Sequence, residues 1–143
     1  MDGGRAVLDA SVAVRWLVEE PGGIDPIELV RSSTRWVAPR QSVSEAAGAL
    51  ARKVQLEVLA AGAAKDALMT LLRFISAGFI ELVADEEHVE EALRMSIELR
   101  LPAADCLYLA VARDCGLPLA TADDKLARVA RREHVSVTFL SAG

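Results

Sequence analysis

Short apolar runs alternate with segments of helical periodicity along most of this chain. The runs are dominated by Val, Leu, Ile and Ala, and they lie at 5–9, 35–39, 79–84, 117–121 and 135–140. Short continuous apolar runs of this kind are typical of buried strands. Because strands covered by helices on both faces are apolar throughout, the pattern predicts an α/β fold. Its centre would be a mainly parallel sheet of four to five strands, flanked by helices.

Between these runs, apolar residues recur three or four positions apart, which predicts helices. The predicted helices span 11–17, 26–31, 42–53, 60–76, a segment beginning near 86, 103–115 and 123–134. Val89, Leu93 and Ile97 lie four residues apart and mark the helix that begins near 86. Pro102 is placed to open the following helix and Gly116 to end it. The segment 19–26 is predicted to be a loop.

The composition is that of one globular domain. The chain has 143 residues, of which 52% are hydrophobic and 26% charged, so we expect residues 1–143 to form a single domain with one core. No apolar run approaches the length that a membrane span needs. The first ten residues lack a basic segment followed by a long apolar one, so we expect no signal peptide and a cytoplasmic protein.

Charge and cysteine content exclude some functions. A net charge of −5 argues against a protein that simply coats nucleic acid. Cys106 and Cys115 fall on one predicted helix, too far apart for a disulfide, and are expected to be apolar filler. His88 and His134 are isolated from other metal-binding residues, so we expect no zinc site. Most aromatic side chains are expected in the core.

Four acidic residues follow predicted strands or begin predicted helices. Asp9 ends the first strand, Glu45 lies on the helix after the second, Asp105 begins an apolar helix and Asp123 follows the fourth strand. Each has a simple structural explanation, since acids cap helices and Glu45 could be solvated; Ser11 is the residue predicted to cap the first helix. Together they predict a cluster at the carboxyl edge of the sheet, where only a strong positive partner would make it tolerable. Oxygen ligands without Cys or His suit Mg²⁺ or Mn²⁺.

Four segments, in order, carry a resemblance to a known family. They are VLDASVAV, APRQSVSEAAGAL, LPAADCLYLAVARDCGLPLATADDKLA and the closing VSVTFL. With them, the chain resembles PIN-domain proteins, most closely the VapC-type ribonuclease toxins of type II toxin–antitoxin modules. The third segment is the most specific, because it joins an acid on an apolar helix to a strand that ends in TxD.

The resemblance implies a three-layer sandwich, a homodimer, neutralisation by a cognate antitoxin and a Mg²⁺- or Mn²⁺-dependent endoribonuclease. In this family a water activated by the metal would attack the phosphodiester bond of RNA. The residues that match the family's acidic quartet are Asp9, Glu45, Asp105 and Asp123. Asp9 and Asp105 are the strongest candidates for direct metal ligands.

Flanking residues are also implicated. Ser11 and Thr121 match the small hydroxyl residues that often accompany the quartet and would orient a carboxylate or a water. Asp124 departs from the family, because relatives commonly have a basic residue there, and we interpret it as a helix cap.

The helix after the fourth strand carries a group of basic residues. Arg128, Arg131 and Arg132 are spaced to share one face, and Lys125 precedes them. These residues are the candidates for contacting RNA. A solvated helix face would show the same pattern.

Two other classes of function remain open from the sequence. A receiver-like phosphorylation module also uses acids at strand ends with Mg²⁺, but it needs a lysine at the end of a late strand, and Lys125 falls within a predicted helix. A catalytically inactive PIN-like interaction module would keep the fold and pair its alanine- and leucine-rich helices with a partner. Binding of Mn²⁺ would distinguish an active site from an inactive one.

Overall fold

The computed structural model describes residues 4–18 and 34–139, and the predicted alternation of strands and helices is present within them. The strands are β1 (Arg5–Leu8), β2 (Arg35–Pro39), β3 (Ile80–Val83), β4 (Leu119–Thr121) and β5 (Val137–Phe139). The helices are α1 (Ala10–Leu17), α2 (Gln41–Gln55), α3 (Ala61–Ser76), α4 (Val89–Leu99), α5 (Ala103–Cys115) and α6 (Asp124–Arg132). The loop predicted at 19–26 and the helix at 26–31 lie outside the described residues.

The strands form one sheet in the order β3-β2-β1-β4-β5, and every neighbouring pair is parallel. This confirms the predicted parallel sheet. The chain builds outward from β1 to β3 on one side and then returns to add β4 and β5 on the other. The order therefore reverses between β1 and β4, and the crevice at such a reversal is where open parallel sheets bind ligands.

Two apolar layers cover the sheet, because successive residues of a strand point to opposite faces. On β1, Val7 belongs to the core cluster formed with α4, α5 and α6, whereas Leu8 belongs to the cluster formed with α1, α2 and α3. The same alternation separates Leu119 from Ala120 on β4. The result is the predicted three-layer arrangement, with helices on both faces of the sheet.

The helix ends agree with the sequence in some places and differ in others. Gly116 ends α5 in the left-handed conformation with φ 66°, as predicted. The cap of α1 is Asp9 rather than Ser11, since the Asp9 carboxylate accepts from the backbone N–H of Ser11. The segment that begins near 86 opens with a 3₁₀ turn, Asp85–Glu87, before α4.

The apolar stripe that marked α4 faces solvent rather than the core. Val89, Leu93 and Ile97 are 49%, 56% and 71% exposed, whereas Ala92 and Met95 on the opposite face are fully buried. Spacing of four residues predicted the helix correctly, but it could not tell which of two apolar faces the sheet would cover. An exposed stripe of this kind marks an interaction surface more often than a solitary exposed residue does.

Side chains singled out from the sequence divide between core and surface. Cys106 is buried, and burial raises the pKa of its thiol to about 11, which agrees with apolar filler. Cys115 is exposed, so that expectation was wrong for it. The Nδ1 atom of His88 lies 2.6 Å from a carboxylate oxygen of Asp114, so this buried histidine joins the start of α4 to the end of α5.

The two tryptophans pack together, as expected for core aromatic residues. Their ring centroids are 5.0 Å apart in an edge-on arrangement, and Trp16 is almost fully buried. Trp16 lies on α1 and Trp36 on β2, so the pair joins helix and sheet. Among residues 4–18 and 34–139, no helix is both long and apolar enough to cross a lipid bilayer.

Candidate metal centre

Asp9 lies at the end of β1 and joins three elements. Its backbone N–H donates to Ala120 O at 3.0 Å, which extends the pairing of β1 with β4. Its side chain caps α1 and accepts from Ser11 Oγ at 3.0 Å and from Thr121 Oγ1 at 2.7 Å. Asp9 is only 8% exposed, and burial raises the pKa of its carboxyl although these hydrogen bonds oppose the shift.

Ser11 and Thr121 both donate a hydrogen bond to the Asp9 carboxylate. Thr121, which is fully buried, donates to Asp9 and accepts from the backbone N–H of Asp123 at 3.0 Å. Ser11 Oγ accepts from the backbone N–H of Ala122 at 3.2 Å. The strand-to-helix turn after β4 is thus tied to the turn after β1 by two hydroxyl groups.

Glu45 enters the same region from α2, where it is half-buried. The Tyr108 hydroxyl donates to Glu45 Oε1 at 2.5 Å. Burial raises the pKa of the Glu45 carboxyl, the tyrosine hydrogen bond opposes that shift, and the charges of Asp9 and Asp105 raise it further. Glu45 is therefore close enough to Asp9 and Asp105 for their charges to shift its pKa.

Asp105 lies in the first turn of α5, and Asp123 caps α6. The Asp123 carboxylate accepts from the backbone N–H of Leu126 at 3.2 Å. Burial raises the pKa of the Asp105 carboxyl, the charges of Asp123 and Asp9 add to the shift, and the charge of Lys125 opposes it. The fold thus brings together acids that are more than 110 residues apart in the sequence.

The four carboxylates form an electrostatically coupled group at the carboxyl end of the central strands. Within the described residues, however, no three acidic, histidine or cysteine side chains are arranged as a ready-made metal site. Asp9 and Asp123 face the amides of the helices that they cap, and Glu45 is held by Tyr108. The donor chemistry suits a hard dication, but side chains would have to turn toward it.

Asp85 is a fifth acidic residue beside this group, and the sequence pattern alone did not single it out. It follows β3, and its carboxylate accepts from the backbone N–H of Gln41 at 3.2 Å at the start of α2. Its charge also raises the pKa of Glu45. The available signal was its position after the third strand, the same position that drew attention to Asp9.

The basic residues of α6 line a groove of about 470 Å³. Lys125, Arg128, Arg131 and Arg132 form its charged wall, together with Leu99 and Val129. Asp124 does not cap α6, contrary to our interpretation, because Asp123 does. Asp124 instead pairs with Arg128 at 3.2 Å on the exposed surface.

Two further basic residues lie next to the acidic group and were missed from the sequence. A hollow of about 300 Å³ between α1 and α2 is lined by Ser11, Arg15, Lys53 and Asp123, among others. Arg15 and Lys53 each lie on an amphipathic helix, where charged residues are expected on the polar face, so the pattern offered no reason to single them out. Only the packing of α1 against α2 places both at the edge of the acidic group.

Comparison with known proteins identifies the family. The PIN domain model matches residues 6–132, so the chain belongs to the PIN domain family. No curated protein matches the sequence.

The position of Lys125 does not fit a receiver-like phosphorylation module. Lys125 lies within α6, away from the strand end where a receiver domain would require it.

Solved structures share the fold at low sequence identity. PAE2754 from Pyrobaculum aerophilum is 22% identical with a TM-score of 0.70, and the match covers 88% of this chain and 79% of that one. VapBC2 from Rickettsia felis, bound to a DNA fragment from their promoter, is 13% identical with a TM-score of 0.63 over 96% and 99% of the chains. A domain of a functionally unknown protein from Methanocaldococcus jannaschii is 18% identical, with a TM-score of 0.57 over 98% and 93%.

The mutual repulsion of the acids predicts a pH-dependent gain in stability on removing one of them. A carboxyl whose pKa is higher in the folded chain binds its proton more tightly there. The free energy of unfolding therefore falls as pH rises through the interval between the pKa of the unfolded chain and the higher pKa of the folded chain. Asp105→Asn should therefore stabilise the metal-free protein above that interval, by roughly 0.5 kcal/mol after allowance for solvent screening of this half-exposed group. The gain should vanish below it.

Urea unfolding in EDTA across a pH series measures this difference. Asp66→Asn, which removes an exposed acid from α3, is the matched control and should show no such pH-dependent gain. A loss of stability in Asp105→Asn at neutral pH would show that the carboxylate is a net favourable interaction.

Proposed function

We propose that this chain is a VapC-type toxin of a type II toxin–antitoxin module, and that it is a Mg²⁺- or Mn²⁺-dependent endoribonuclease. The observation that carries the proposal is the coupled group of Asp9, Glu45, Asp105 and Asp123 at the β1–β4 crevice of a PIN-family sheet. We further propose that residues 1–143 form a single PIN domain and act on RNA in the cytoplasm.

The donor set fits a hard dication. Its oxygens come from carboxylates alone. Burial and the charges of neighbouring carboxylates raise the pKa values of Asp9, Glu45 and Asp105, so a bound cation would relieve the repulsion among them. Asp9 and Asp105 would be the principal ligands, with Glu45 and Asp123 completing the set. When bound, Mg²⁺ or Mn²⁺ supplies an acidified water for attack on the phosphodiester and positive charge beside the phosphate.

The residues of the chain position the reacting groups. Thr121 and Ser11 hydrogen-bond the Asp9 carboxylate and fix its orientation at the end of β1. Lys125 lies close enough to Asp105 to lower its pKa and also belongs to the wall of the α6 groove. RNA lying in that groove would thus reach the acidic group beside Lys125. No side chain is required as the nucleophile.

The cognate antitoxin would neutralise the same group of acids. A cluster of coupled carboxylates presents a strong binding position for an arginine, which can pair with a carboxylate through two parallel hydrogen bonds. A peptide segment that offers an arginine to Asp9 or Asp105 would compete with the metal and with RNA phosphate. The fold shared with VapBC2 supports a partner of this kind.

A homodimer is supported by the exposed stripe on α4. Val89 and Ile97 lie on either side of Leu93 at equal spacing, so antiparallel pairing of two copies about Leu93 would place Val89 of one against Ile97 of the other. Such self-complementarity is the property that a two-fold interface requires.

Cleavage of RNA by the purified protein tests the catalytic proposal. We expect cleavage with Mg²⁺ or Mn²⁺ and none with EDTA. Asp9→Asn and Asp105→Asn should each lose roughly 100-fold or more of the rate, because a metal ligand should matter at least as much as the groups that support one. Asparagine still caps a helix, so Asp9→Asn should remain folded, and Asp66→Asn should cleave normally. Undiminished cleavage by either site variant would refute the assignment.

Salt dependence tests the α6 groove. In an Asp105→Asn background, which prevents cleavage, Arg131→Ala with Arg132→Ala should weaken RNA binding and flatten the slope of log affinity against log salt by about 0.7 for each lost phosphate contact. Arg73→Ala on the distant helix α3 is the control. If affinity and slope match those of the parent, the groove is only a solvated helix face.

Size-exclusion chromatography with light scattering tests the α4 interface. We expect a dimer for the wild type and a monomer for Leu93→Glu, since a charge would be buried twice at the two-fold axis. Leu56→Glu, at another exposed apolar position, should remain dimeric. A dimeric Leu93→Glu protein would exclude this face.

A further inference from the structure

Tyr108 is a buried polar residue next to the acidic group that the proposed function does not yet use. It lies on α5 one helical turn after Asp105, so both side chains project from the same side of the helix. The residue is 1% exposed, and its neighbours on α5 are apolar. A phenylalanine would fill the same space, so the hydroxyl itself requires an explanation.

The Tyr108 hydroxyl makes two hydrogen bonds that join different elements. It donates to Glu45 Oε1 on α2 at 2.5 Å and accepts from the backbone N–H of Ala10 on α1 at 3.4 Å. A phenol has one proton to donate and can also accept. Accepting from Ala10 leaves that proton for Glu45, and because Ala10 begins α1 beside Asp9, the hydroxyl connects two acids of the group.

Glu45 depends on such support more than Asp9 or Asp123 does. Asp9 and Asp123 are held by the amides of the helices that they cap, whereas Glu45 lies within α2 on a longer side chain. The bond from Tyr108 engages one carboxylate oxygen, Oε1, and leaves Oε2 unclaimed by the tyrosine. A ligand held in this way loses less conformational freedom when it binds a cation.

We propose that Tyr108 is a positioning residue that orients Glu45 for metal binding through its hydroxyl group. The proposal rests on the proposed metal-dependent function and adds a residue outside the acidic quartet. Hydrogen-bonded partners of metal ligands commonly change metal affinity by roughly 10- to 100-fold when removed. Tyr108 acts through Glu45 and does not itself contact metal or RNA.

Titration calorimetry with Mn²⁺ alone, without RNA, tests this role. Tyr108→Phe should bind Mn²⁺ roughly 10-fold more weakly than the wild type. In a Glu45→Gln background, Tyr108→Phe should cause no further loss, because the ligand that it positions is already gone. The electron paramagnetic resonance spectrum of bound Mn²⁺ should change in Tyr108→Phe. Val111→Ala, a cavity variant of the same buried helix, controls for loss of stability and should keep wild-type Mn²⁺ affinity.

The outcomes separate the two proposals. If the wild type binds Mn²⁺ and Tyr108→Phe binds it within twofold, or if the loss persists in full without Glu45, the positioning role is wrong while the metal site stands. If Val111→Ala weakens binding as much as Tyr108→Phe does, the effect is structural and the positioning role is again wrong. If the wild type binds no Mn²⁺, both the positioning role and the proposed function fail.

Discussion

The hydrogen bond from Thr121 to Asp9 joins the carboxyl ends of the two central strands, and the arrangement of the acidic residues depends on it. Asp9 also caps α1, and Thr121 also accepts from the backbone of Asp123. One buried contact therefore sets the positions of two helix starts. Because this contact lies where the strand order reverses, it fixes the geometry of the crevice in which a parallel sheet presents its ligands.

Stability and function make opposite demands on this region. Burial and like charge raise the pKa of Asp9, Glu45 and Asp105, so folding brings together groups that would be better solvated apart. Hydrogen bonds from Ser11 and Tyr108 offset part of that cost without neutralising the charge. The remaining negative potential would attract a dication, and it would repel the phosphates of the proposed RNA substrate until that dication is bound.

Positively charged and apolar surface groups lie around the acidic group. The α6 groove carries a row of basic residues and reaches the acidic group at Lys125. Arg15 and Lys53 line a separate hollow beside Ser11 and Asp123. The exposed stripe of α4 belongs to a helix that packs on α5. Helix α5, which carries Asp105 and Tyr108, is thus packed against the helix that we expect to pair two copies.

The sequence by itself determined the elements, the layers and the identity of the acids. Continuous apolar runs bounded by turn residues are typical of strands covered on both faces. Asp9 and Asp123 follow such strands, and Glu45 and Asp105 lie on the helices after them, so the resemblance to PIN-domain proteins singled out all four before any coordinates. Only the tertiary structure decided how these acids are held. The contacts of Tyr108 with Glu45 and of Asp85 with Gln41 join residues more than 40 positions apart. Local spacing in the sequence cannot predict contacts between residues so far apart. The exposed face of α4 was hidden for the same reason, because periodicity defines the faces of a helix but only packing decides which one the sheet covers.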